Sequence, residues 1–108
     1  MAYVSHLPQI ASSSLMRVAG EGAGEPGLGL SGAGLADTTR LASSPASMWT
    51  EILQSNAGHV KLALDAFIAD LQRVRDNLTT SVAGAWLEDG ARWRARLGNG
   101  QMNNPRND

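Results

Sequence analysis

Between Asn56 and Leu78, the residues Val60, Leu64, Phe67, Ile68, Leu71, Val74 and Leu78 recur at steps of three, four and seven. This spacing places them along one side of an α-helix, because about 3.6 residues complete a turn. A helix of that extent spans roughly 30 Å, and its apolar stripe needs cover of similar length. No other predicted helix matches it, so a second copy of the chain is the simplest partner. Strand signals are nearly absent, since no run of alternating β-branched residues is bounded by hairpin turns. The expected class is all-α, with one long helix, a glycine-rich loop and shorter helices.

The shorter helices follow from local signals. Residues 8 to 19 form a helix with Pro8 in the first turn, where its missing N–H costs little. Ile10, Leu15 and Val18 give it an apolar side, Ser12, Ser13 and Ser14 a small one, and Gly20 a stop. Residues 20 to 34 hold seven of the twelve glycines and read as a loop. Asp37 then caps a short helix reaching about residue 43, with Arg40 in its first turn. Ser44 and Pro45 start another, as N-cap and first helical residue, which carries Met48, Trp49, Ile52 and Leu53. A last helix covers 82 to 97, weakened at Gly90 by about 1 kcal/mol relative to alanine. The Asn, Gly, Pro and Asp residues from Gly98 onward read as a disordered tail.

Composition narrows the function classes. With 108 residues the chain makes one domain at most, and its 43% hydrophobic content includes only one Phe and one Tyr. An isolated copy therefore buries a thin core, a situation that oligomerisation relieves. The net charge of −1 offers no general attraction to nucleic acid or an anionic membrane. The absence of cysteine excludes disulfides and thiolate metal sites. No apolar run approaches the roughly 18 residues that span a bilayer, and residues 1 to 6 lack signal-peptide character, so the expected location is the cytoplasm.

Three segments carry chemistry. Gly22 to Gly27 and Gly27 to Gly32 both match G-x-G-x-x-G, but a dinucleotide fingerprint needs a strand before it and a helix directly after it. The preceding segment reads as helix, and a connection that orders around a ligand is the better reading. Arg40, beside the glycines Gly32 and Gly34, is either a surface arginine paired with Asp37 or a guanidinium offered to a carboxylate. His6 either satisfies a cap or core hydrogen bond or acts as a ligand or acid–base group. His59 lies off the apolar stripe and reads as solvated, and the two histidines lack metal-ligand spacing. Trp49, Trp86 and Trp93 read as packing residues, and the basic run Arg92 to Arg96 as a solvated helix face.

Taken in order, Val4-Ser5-His6-Leu7-Pro8, Gly32-x-Gly34-x-x-Asp37-x-Thr39-Arg40-Leu41-Ala42 and Met48-Trp49 resemble the C-terminal helical domain of prephenate dehydrogenase. Arogenate dehydrogenases share that domain, and the resemblance covers about residues 2 to 75. It implies a two-domain oxidoreductase of tyrosine biosynthesis, in which a nucleotide-binding Rossmann domain precedes a helical domain that intertwines two subunits. That enzyme oxidatively decarboxylates prephenate to 4-hydroxyphenylpyruvate, or arogenate to tyrosine, with NAD or NADP accepting the hydride. The resemblance further implies that Arg40 binds a substrate carboxylate and that Asp37 positions that segment. Gly32 and Gly34 would approach the ligand from the dimer interface, His6 would stand at the cleft between domains, and Trp49 would anchor the helix behind Arg40.

Two departures stand out. Many relatives carry a second histidine after the proline, where this chain has Gln9, which hydrogen-bonds a substrate but does not change charge near neutral pH. Ala33 replaces a frequent third glycine. No strand–loop–helix unit is present, so the resemblance implies a C-terminal fragment without the Rossmann domain, binding no cofactor by itself. The expected division is 1–80 as the family-like domain, 81–97 as an additional helix and 98–108 as the tail. Two readings follow: a dimerisation and substrate-binding part of the dehydrogenase, or a stand-alone helical module that dimerises or senses an aromatic amino acid. Neither involves nucleic acid, a membrane or a metal.

Overall fold

The computed structural model describes residues 1–103, and every regular element among them is helical. A π-helical turn (Ala2–His6) leads into α1 (Leu7–Leu28), followed by α2 (Ala33–Thr38), a 3-10 turn (Arg40–Ser43), α3 (Ala46–Ser55), α4 (Ala57–Arg75) and α5 (Ser81–Asn103). The all-α class agrees with the sequence. No helix among the described residues is long and apolar enough to cross a membrane.

Several boundaries differ from expectation, each for a local reason. α1 does not stop at Gly20 but runs to Leu28, so the predicted loop shrinks to the few residues before Ala33. An Arg17–Glu21 pair at 3.4 Å spans Gly20 and favours continuation. The interruption comes instead at Gly24, whose φ of 68° is a left-handed value that glycine alone adopts without strain. Pro26 explains its position: without an N–H, and with a ring that collides with the carbonyl four residues back, it cannot continue a straight helix. Gly27 is also required, since a Cβ there would lie 2.6 Å from the Ala23 side chain.

Asp37 caps nothing. α2 already starts at Ala33 with Gly32 as its N-cap, Asp37 falls in its last turn, and Arg40 opens the separate 3-10 turn. Likewise Pro45, in extended conformation, is itself the N-cap of α3, so Ser44 lies outside that helix. α4 is not the longest helix: its 19 residues are exceeded by the 22 of kinked α1 and the 23 of α5. The helix predicted to end at 97 continues to Asn103, and the rest of the predicted tail, 104–108, lies outside the described residues.

The chain divides into two compact units, Met1–Ala66 and Phe67–Asp108. In the first, α1 packs on the 3-10 turn, fastened where Gln9 Nε2 donates to the Leu41 carbonyl at 2.8 Å. Its buried apolar residues are only Val60 and Ala63, while His6, Gln9, Ser12 and Thr39 are buried polar ones. In the second, the Trp86 indole donates to Asp70 Oδ2 at 2.8 Å, and the Val82 N–H donates to Thr80 Oγ at the start of α5. Ile68, Leu71, Leu78, Leu87 and Trp93 of this unit are exposed. Along the predicted stripe Val60 is buried, Leu64, Phe67 and Val74 are half-buried, and Ile68, Leu71 and Leu78 are exposed. Leu78 lies past the end of α4, which stops at Arg75, three residues short of the predicted end.

Candidate functional site

Burial selects one face of α1. His6, Gln9 and Ser12 follow each other at intervals of three, which aligns them along the helix, and all three are buried. His6 Nδ1, Gln9 Oε1 and Ser12 Oγ are buried without a hydrogen-bond partner. Each such group costs about 1–3 kcal/mol while it stays unmet, which sets this row apart from the rest of α1. Ser12 belongs to this row, although the serine run had read only as a small surface.

Trp49 joins the row from α3. Its ring meets the His6 imidazole edge-on, with centroids 6.0 Å apart and planes inclined by 80°. Residues 43 apart in sequence are thus brought together. The arrangement is the edge-to-face geometry that aromatic rings prefer.

Gln9 links the row to Arg40 through the backbone. Its amide bond to the Leu41 carbonyl holds α1 against the turn that Arg40 opens. Thr39, immediately before Arg40, is buried and donates its hydroxyl to the Leu35 carbonyl at 2.7 Å. The backbone on both sides of Arg40 is therefore fixed while its side chain is exposed. Arg40 takes part in no ion pair among the described residues, so the expected alternative of a pair with Asp37 is not formed. An unpaired guanidinium on an anchored turn is chemically suited to a carboxylate, which it engages through two parallel N–H bonds. Gly32 and Gly34 are exposed, and a Cβ at either would meet nothing within 4 Å. Among the described residues nothing crowds these two positions.

Two clefts open in this unit. One, of about 360 Å³, is lined by Tyr3, His6, Asn56 and His59 among others. His59 is exposed as expected, yet it shares this cleft with His6, which spacing along one helix could not reveal. The other, of about 400 Å³, lies between α1 and α3 and includes Gln9, Arg17 and Trp49. Arg40 lines neither cleft. The predicted site residues are thus brought together in part: His6 touches Trp49 and Gln9 supports the Arg40 turn, while Asp37, Gly32 and Gly34 stand apart from both contacts.

The dinucleotide reading of the glycines fails on geometry. Gly22 to Gly27 lie inside α1 and its kinked end, and Gly27 to Gly32 straddle that end. No strand precedes either match, so neither forms the strand-to-helix turn that cradles a pyrophosphate. These residues do not fit a nicotinamide cofactor.

Comparison with known proteins resolves the family. Residues 1–88 match the family model described as the dimerization domain of prephenate dehydrogenase. The chain belongs to the prephenate dehydrogenase family. A solved structure from Corynebacterium glutamicum, assigned as a prephenate dehydrogenase, is similar with 32% identity and a TM-score of 0.82. The match covers 91% of this chain and 31% of that one, so the chain spans about a third of the relative's length. Prephenate dehydrogenases are oxidoreductases, and the resemblance seen in the Ser-His-Leu-Pro, Gly-to-Arg40 and Met-Trp segments is to the helical domain of that family. The matched stretch reaches beyond residue 75, taking in the turn after α4 and the first part of α5.

Proposed function

We propose that this chain supplies dimerisation and substrate-carboxylate binding to a prephenate, or arogenate, dehydrogenase of tyrosine biosynthesis. The exposed, unpaired Arg40 on its anchored turn carries the substrate reading, and the family match supports it. Arg40 holds a carboxylate of prephenate or arogenate, while Gln9 and His6 meet its polar groups from the α1 face. The hydride passes to NAD or NADP held by a nucleotide-binding domain, and carbon dioxide leaves from the ring. The place of work is the cytoplasm.

A homodimer follows from the same reading. The buried apolar core of the first unit is small, and Ile68, Leu71 and Leu78 of the predicted stripe are exposed. Burying apolar area yields about 25 cal/mol per Å², so a matching face on a second copy gives the missing cover.

The purified 108-residue chain is expected to show no reduction of NAD+ or NADP+ with prephenate, because none of its described residues forms a nucleotide cradle. Absorbance at 340 nm checks this, and prephenate-dependent growth of that signal would overturn the assignment of roles. Titrating tyrosine into the chain separates the second reading, a stand-alone aromatic-amino-acid sensor: saturable tyrosine binding without prephenate binding would favour it.

A further inference from the structure

Between Ser12 and Val60 only one residue is buried, and it is polar: Thr39, 7% exposed. Neither α2 before it nor the 3-10 turn after it buries a residue of its own. A helix of six residues does not hold its shape by itself, because nucleating the first turn costs more than so few hydrogen bonds return. What joins these elements converges on Thr39. Its N–H and its hydroxyl both donate to the Leu35 carbonyl of α2, at 3.0 and 2.7 Å, and its own carbonyl accepts the Ala42 N–H at 2.9 Å. At φ −104° and ψ 12° its backbone leaves the helical path, which ends α2 and lets the turn open with Arg40.

Thr38 provides a comparison inside the same chain. Its hydroxyl makes the same kind of bond, to the Gly34 carbonyl at 2.6 Å, but this residue is exposed. Water competes for an exposed bond and leaves little net gain, whereas a buried one is strengthened by its surroundings. The two adjacent threonines thus share a bond type and differ in burial.

We propose that the Thr39 hydroxyl is a positioning group for Arg40, setting how often the turn presents the guanidinium in an orientation that a carboxylate can use. The proposal rests on the substrate role proposed above for Arg40. That side chain is exposed and makes no ion pair among the described residues, so its direction is inherited from the backbone that carries it. A ligand that binds only one arrangement of a site loses affinity in proportion to the fraction of time the arrangement is absent. Removing one buried neutral hydrogen bond shifts such a fraction by about 3–10-fold. Thr39 spends its hydroxyl on Leu35, so its influence on binding passes through Arg40.

Calorimetric titration of prephenate into the full 108-residue chain tests this, with circular dichroism verifying that each variant is folded. Thr39→Val, which keeps the shape and loses the hydroxyl, is expected to weaken binding about 3–10-fold, and Thr38→Val to leave it within about 2-fold. Thr39→Ser keeps the hydroxyl and retains affinity within about 2-fold, while Thr39→Ala behaves like Thr39→Val. The serine and alanine pair decides the matter where valine does not fold. A double-mutant cycle separates positioning from general structural loss: in an Arg40→Ala background Thr39→Val costs nothing further, because no guanidinium is left to place. Wild-type affinity in Thr39→Val and Thr39→Ala overturns the proposal. So does equal weakening by Thr39→Ser, which would assign the effect to packing of the methyl group, and so does a Thr39→Val loss undiminished in the Arg40→Ala background. Wild-type affinity in Arg40→Ala removes the substrate role of Arg40 and this proposal with it, whereas a loss in Arg40→Ala beside none at Thr39 removes this proposal alone.

Discussion

Trp49→Ala is expected to destabilise the first unit by about 2–3 kcal/mol, somewhat below the 3–5 kcal/mol typical of a fully buried tryptophan. Trp49 is half-buried, but it meets His6 edge-on and forms much of the apolar wall between α1 and α3. The buried apolar residues there are only Val60 and Ala63, so little remains to hold α3 in place once the indole is gone. The loss is a large fraction of the 5–15 kcal/mol that stabilises an ordinary domain. Trp93→Ala is the control. That ring is 62% exposed, and its contact is with the Arg96 guanidinium, 4.3 Å from the ring centroid. An exposed contact of this kind contributes about 0.5–1 kcal/mol. Urea denaturation followed by circular dichroism compares the two, and equal midpoints for both variants would show that Trp49 is not a structural anchor.

Arg40→Ala is expected to weaken prephenate binding by about 10–100-fold, the range for losing a charge-assisted hydrogen-bond pair. The expectation rests on the proposed substrate role. Its physical basis is that Arg40 has no ion-pair partner among the described residues, while Thr39 and Gln9 hold the backbone on either side. Stability should scarcely change, because an exposed side chain without a partner contributes little to folding. Arg40→Lys should recover only part of the affinity, since an ammonium keeps the charge but lacks the planar fork. Calorimetric titration of prephenate into each variant makes the comparison. Wild-type affinity in Arg40→Ala would remove Arg40 from the site.

Much of this architecture was legible in the chain because helices announce themselves locally. The stripe from Val60 to Val74 marks α4 by its period alone, and the near absence of strand signals leaves only helices to build with. Boundaries were harder where two signals compete. Gly20 reads as a stop, yet Arg17 and Glu21 bridge it, and the break moves to Gly24 because Pro26 forbids a straight continuation. Asp37 is a good capping residue at the wrong place, since α2 begins earlier behind Gly32. Arg40 and His6 stand out by their chemistry, Gln9 and the role of Trp49 by motif order, and the structure adds the His6–Trp49 contact and the Gln9–Leu41 bond. The cleft that His59 shares with His6 has no signal in the sequence for a plain reason. The two residues lie on different elements, and no local pattern encodes such a meeting.

The α4 stripe has a parallel lesson. Its length first suggested that no other helix could cover it, but α1 and α5 are both longer. The argument for a second copy rests instead on exposure: Ile68, Leu71 and Leu78 of the stripe remain accessible in the single chain. Exposed apolar groups in such a row are costly unless another surface covers them.

Sedimentation equilibrium of the purified chain at micromolar concentration tests that pairing most directly. A single species of twice the 11.4 kDa chain mass is the expected result. A monodisperse species at 11.4 kDa, folded and unchanged across the concentration range, would contradict dimerisation as the role of this domain.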